Sequence, residues 1–256
     1  MLRVSDVLSG SDLNQGGTLD MLFIGSVYTD DEEAKCVLKK SKGMLQSAAN
    51  AVQWALIRGL EEHNGRSLSI LNCTPVGLYP NYPEAFVRGR KWSHALEAED
   101  VNVGFVNVPV LKHITRYFGL LVSTIRWALR PSAETRVIMV YSVHSPFLLS
   151  AAAVKLVDPN LTICLIVPDL PEYMDSRRGA LHRGLKALDR GILRWLCRLV
   201  DSFVFFTMQM ADVFEVGDRP WVVVEALADS ADSGRVPLVG VNRATKKVVL
   251  YAGTLA

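Results

Sequence analysis

From Met21 onward the chain alternates short β-branched apolar runs with longer stretches whose apolar residues recur every three or four positions. The runs are too short for helices and suit strands buried on both faces. They fall at Leu22–Val27, Leu68–Asn72, Val103–Val108, Val137–Tyr141, Leu161–Val167, Ser202–Thr207 and Trp221–Val224. Helical spacing covers Ser47 to about Glu62, Leu111–Leu129, Pro146–Val157 and Ala180–Val200. The stops agree: His63-Asn64-Gly65 closes the first helix, and Asp158-Pro159-Asn160 closes the third. Asp30-Asp31-Glu32-Glu33 reads as an acidic loop. Strand–helix alternation of this kind predicts an α/β fold: a doubly wound, mainly parallel, Rossmann-like sheet with helices on both faces.

Two polar motifs, around His144 and around Asp169, fall at the carboxyl ends of consecutive strands. In open α/β sheets ligands bind along that edge. His144 is read either as a histidine hydrogen-bonded to its loop or as a proton-handling, substrate-orienting group. Asp169, after Val167-Pro168, is read either as a turn residue or as an acid that binds hydroxyls. The loop Tyr79-Pro80-Asn81-Tyr82-Pro83 is either a packed turn or a pair of rings, Tyr79 and Tyr82, for stacking on sugars. Gly43 stands at a helix entry whose N–H groups suit an anion, although one glycine is equally an ordinary helix start.

Composition narrows the class. Half of the 256 residues are hydrophobic and the net charge is +2, as in a globular protein with a substantial core. The local balance differs. Between Arg177 and Arg198 seven basic residues, among them Arg183, Lys186, Arg190 and Arg194, face a single acid, Asp189. Leucines recur on another face of the same helix, so it is either a hydrated surface helix or a cationic face resting on anionic lipid or a pyrophosphate. No stacking aromatics accompany the charge, which argues against nucleic acid. The four cysteines show no metal-ligand spacing, and no metal site is expected. Neither a dinucleotide fingerprint nor a phosphate-loop motif occurs, so no cofactor is expected. The first twenty residues lack the apolar core of a secretion signal, and no apolar run is long enough to span a bilayer. The cytoplasm, with a peripheral seat on the inner face of the membrane, is the expected location.

The segments Tyr141-Ser-Val-His-Ser-Pro146, Ile166-Val-Pro-Asp-Leu-Pro-Glu-Tyr-Met174, Phe206-Thr-Met-Gln-Met-Ala211, Trp221-Val-Val-Val-Glu-Ala226 and Lys247-Val-Val-Leu-Tyr-Ala-Gly-Thr254 occur in a telling order. From Met21 to the end, the chain resembles the amino-terminal, acceptor-side half of a family 4 glycosyltransferase of the GT-B fold, of the bacterial polysaccharide-assembly kind. The resemblance implies hexosyl transfer from a nucleotide sugar to a saccharide or lipid-linked saccharide, without a metal. It makes His144 and Asp169 cleft residues near the reacting sugar. It makes Gly43 part of the loop nearing the donor phosphates, and Glu225 a cleft-edge residue. Residues 1–20 are then expected to be a disordered leader, 21–228 the acceptor domain, 229–247 a linker and 248–256 the first strand of a donor domain whose remainder is missing. Such a chain is expected to turn over poorly alone. Two alternatives stay open: a non-catalytic subunit that meets a donor-half partner chain, and an unrelated Rossmann-like enzyme using His144 and Asp169 by itself.

Overall fold

The computed structural model describes residues 18–41, 46–132, 134–169 and 180–225, with the side chains of 31, 180–183, 185 and 186 left aside. Eight strands form one sheet: β1 (Leu19–Gly25), β2 (Ser69–Asn72), β4 (Arg90–Trp92), β5 (Asp100–Asn102), β7 (Thr135–Tyr141), β8 (Thr162–Val167), β9 (Ser202–Phe205) and β10 (Trp221–Val223). Their order is β10-β9-β8-β7-β1-β2-β5-β4, and every neighbouring pair is parallel except β4 with β5. This is the doubly wound α/β sheet expected.

The central strands read as near-continuous apolar runs because both of their faces are covered. On one face Leu22, Ile24, Ile138, Val140, Ile163 and Leu165 pack with α3 (Leu111–Ala128), α4 (Ser145–Lys155) and α5 (Ala180–Leu196). On the other, Met21, Phe23, Val137, Met139, Cys164 and Ile166 share a core with Leu56, Ile57 and Leu60 of α2 (Ser47–Asn64). Alternate residues of each strand thus serve alternate layers. Helix α2 ends as expected, on Gly65 in the left-handed region with φ 68°.

The structure departs from the expected pattern in four places. Strand β1 starts at Leu19, whose N–H and C=O are both held by the Asn64 side chain, so the boundary drawn at residue 20 falls inside a strand. The segment read as an acidic loop is α1 (Asp31–Lys40). Asp30 caps it by accepting from Glu33 N at 2.6 Å, while Glu33 reaches back to Thr29 N. The D-x-x-E spacing of a capping box was the sequence signal. The run Val103–Val108 does not form one strand: β5 precedes it, and β6 (Phe105–Val106) pairs apart from the main sheet with β3 (Phe86–Val87). The cause is a backbone crossing, since a Cβ on Gly104 would lie 2.7 Å from Gly89 N and one on Gly89 2.8 Å from Gly104 N. Finally, residues 208–213 form a short helix, α6, after β9. The linker and terminal strand expected over 229–256 lie outside the described residues.

Candidate functional site

The sheet changes direction between β1 and β7. The chain leaves β1 toward β2 and β5, then returns through α3 to β7 on the other side of β1. Crossovers diverge at such a point and leave a crevice beyond the carboxyl ends of the strands.

The wall after β1 is pinned by three amides. Gln53 accepts from Ser26 N at 2.8 Å and donates to Ser26 O at 2.9 Å. Asn72 accepts from Val27 N at 2.7 Å, and Asn50 accepts from Tyr28 N at 2.8 Å. Gln53 and Asn72 are buried, where each unmet polar group would be costly, so the loop is held in one conformation. Beyond it opens a cavity of about 620 Å³, bordered by Tyr28, Asn50, Trp54, Arg90, Trp92 and His94. The Trp54 indole donates to Tyr28 O at 3.0 Å and meets Trp92 edge-on at 6.2 Å. Trp92 Nε1 is buried without a hydrogen-bond partner.

An ionic triad braces this cavity. His94 Nδ1 lies 2.6 Å from Asp100 Oδ2, and Nε2 lies 2.8 Å from Glu61 Oε1. Burial alone would favour neutral imidazole, but the bonds to Asp100 and Glu61 outweigh it and lift the His94 pKa from 6.5 to about 9. Sequence reading missed this group, because the partners lie 6 and 33 positions away and no local spacing announces them.

The wall after β7 carries His144. Ser142 precedes it with φ 76°, a conformation in which non-glycine residues are strained, and accepts from His144 N at 2.9 Å. His144 stands at the amino end of α4, its ring 4.7 Å from Phe147 and 5.7 Å from His113 of α3. Burial, then the charges of Arg116, His113 and Lys112, push its pKa down to about 3, so the ring is neutral at physiological pH.

The other expected residues disperse. Asp169 is exposed two residues past β8, on the edge shared with His144, and no hydrogen bond joins the two. Its charge adds to burial in raising the Tyr141 pKa. Tyr79 is 45% exposed, whereas Tyr82 is 5% exposed and packs with Tyr28, Val37, Val76 and Phe105. Tyr82 is therefore a core residue in a packed turn, with no face free for a sugar. Glu225 is exposed just beyond β10. Arg190 and Arg194 are exposed on α5 and border a second cavity, of about 240 Å³, with Val143, Leu193 and Phe214. Gly43 and the side chains of Arg183 and Lys186 lie outside the described residues. Among the described residues no cluster of His, Cys, Asp and Glu could hold a metal, and no helix is long and apolar enough to cross a membrane.

No family model and no curated protein matches the chain. Among the solved structures that match is an α,α-trehalose 6-phosphate synthase from Burkholderia multivorans, 13% identical, with a TM-score of 0.42. The match covers 78% of this chain and 43% of that one. This chain thus spans less than half the length of that synthase, and a likeness so loose bears on neither mechanism nor substrate.

Proposed function

We propose that the described domain is the acceptor-binding half of a GT-B glycosyltransferase, which takes up a saccharide or lipid-linked saccharide for hexosyl transfer from a nucleotide sugar. The observation that carries this reading is the 620 Å³ cavity beside β1. Its volume is in the range of small-ligand sites. A pyranose has an apolar C–H face and a rim of hydroxyls. Half-buried Trp54 and Trp92 offer flat apolar surface for the first, and Thr29, Asp30, Asn50 and Arg90 offer hydrogen bonds for the second. The unpartnered Trp92 Nε1–H is one donor whose burial a ligand oxygen would offset. The ordered motifs and the doubly wound sheet support the same assignment.

In this reading His144 and Asp169 stand at the crevice where the acceptor hydroxyl meets the donor. With its pKa near 3, His144 is a neutral group that orients by hydrogen bonding and is a poor proton acceptor. Asp169 supplies the carboxylate of the pair. Nucleotide-sugar binding belongs to a second domain in this scheme, so the described half is expected to bind acceptor but not donor.

The test is tryptophan fluorescence and calorimetric titration with oligosaccharide acceptors and, separately, with UDP-, GDP- and TDP-sugars. We expect saturable quenching by an acceptor, lost in Trp92→Leu, and no tight nucleotide-sugar binding. Tight nucleotide-sugar binding, or acceptor binding indifferent to Trp92, would overturn the assignment.

A further inference from the structure

On the sheet face opposite the aromatic cavity, the first two turns of α3 carry Lys112, His113 and Arg116. Arg116 is 8% exposed. Its Nη2 donates to Thr74 O at 3.2 Å, and the guanidinium lies 4.2 Å from the centre of the Phe105 ring. Its Nε is buried with no hydrogen-bond partner. One turn earlier Lys112 Nζ donates to Val76 O at 2.7 Å, leaving its other two N–H bonds unassigned. His144 faces the same place from α4, with a buried and unpartnered Nδ1. Among the described residues no carboxylate forms an ion pair with Lys112, His113, Arg116 or His144. Asp189 of α5 comes within electrostatic range of His113 but does not pair with it.

Fixing a loop explains only part of this. The carbonyls of Thr74 and Val76 use one N–H from each cation, and stapling a loop needs no second positive charge one helical turn away. A guanidinium taken out of water without a counter-charge is unfavourable, and placing a lysine one helical turn away adds repulsion. Burial, and after it the Arg116 charge, push the Lys112 pKa down to about 7. An arrangement that raises its own electrostatic energy in this way is relieved by an anion.

We propose that Arg116, Lys112, His113 and His144 form a binding site for a phosphoryl oxyanion. The donor set favours a phosphoryl group over a carboxylate. Arg116 Nε–H, the two spare N–H bonds of Lys112 and a ring N–H from a histidine are all donors, carried on the first two turns of α3 and at the start of α4. A tetrahedral dianion has oxygens enough for all of them and twice the charge. His144 takes part in the tautomer that carries its proton on Nδ1. The site shares His144 with the crevice of the sugar-transfer reading, but its other groups lie on α3, on the sheet face opposite the Trp92 cavity. Its phosphoryl group comes either from free phosphate or from a sugar- or lipid-linked phosphate.

Phosphorus NMR and calorimetry on the full chain, at constant ionic strength, test the proposal with inorganic pyrophosphate as probe. We expect saturable binding, weakened at least about tenfold by Lys112→Met and again by His113→Gln, both at positions accessible enough to leave the core intact. Arg116→Lys, which keeps the charge and removes Nε, should abolish binding while near-ultraviolet circular dichroism stays native. A sugar 1-phosphate and a short prenyl diphosphate run alongside identify the source. Tighter binding of either assigns the group to that ligand, and no preference assigns free phosphate; each result supports the site. Absence of saturable pyrophosphate binding up to about 10 mM, or less than about twofold change in Lys112→Met, overturns it. Either failure leaves saccharide binding by the Trp92 cavity unaffected, so the two readings fall separately.

Discussion

Replacing His94 with glutamine perturbs the ionic triad of His94, Asp100 and Glu61 that ties β5 to α2. Asp100 is 1% exposed, and its Oδ2 accepts from both His94 N and His94 Nδ1, at 2.8 and 2.6 Å. Glu61 Oε1 accepts from Leu68 N at 3.0 Å as well as facing His94. Without the imidazolium, two carboxylates share a buried space, and removing one member of such a network costs about 3–5 kcal/mol. The pH dependence separates this charge effect from simple loss of packing. A pKa raised from 6.5 to about 9 corresponds to about 3 kcal/mol of preference for the charged ring in the folded state. Because the folded value is the higher, that stability is fully present below pH 6.5, erodes between 6.5 and about 9, and is gone above. Lys112, held down at about 7, acts in the opposite sense as pH rises, so the useful quantity is the difference between parent and variant. Urea unfolding at a series of pH values from 6 to 9.5 measures it. We expect His94→Gln to lie about 3 kcal/mol or more below the parent at the acid end, with the gap narrowing by about that amount at the alkaline end. A gap that stays constant with pH would show that His94 is not held as an imidazolium, and the triad would be only packing.

Two further predictions concern the backbone and the surface. Val110 enters α3 with φ 64° and is 60% exposed, so its side chain gives little burial in exchange for the strain. Val110→Gly should gain about 0.5–1 kcal/mol after the entropic penalty of glycine, visible as a rise in Tm of about 2 °C; a fall would mean the valine packs where it looks exposed. Helix α5 exposes Leu188 and Trp195 beside Arg190 and Arg194, with Arg198 in the turn that follows, which suits an anionic membrane surface. Each basic group near such a surface contributes about 1 kcal/mol, so Arg190→Glu with Arg194→Glu should lower partitioning onto phosphatidylserine vesicles roughly 30-fold or more; unchanged partitioning would remove the membrane from the scheme.

The doubly wound sheet was legible in the sequence wherever an element owed its form to the solvent it excludes. Val137–Tyr141 and Leu161–Val167 are almost entirely apolar because both faces of those strands are covered, and Pro146 and Gly65 mark helix ends by their own backbone restrictions. The placement of His144 at a strand end followed from the same alternation. What tertiary structure alone decided is which polar residues meet. The amides of Asn50, Gln53 and Asn72 converge on the loop after β1 from α2 and β2. His94 finds Glu61 across 33 residues, and Arg116 finds Thr74 across 42. Tyr82, which by composition suited a sugar, turned inward because Phe105 and Val76 offered it a core. Apolar periodicity reports burial, a property each residue carries by itself. Convergence of polar groups depends on how the strands are ordered, and that order is fixed only when the whole sheet packs.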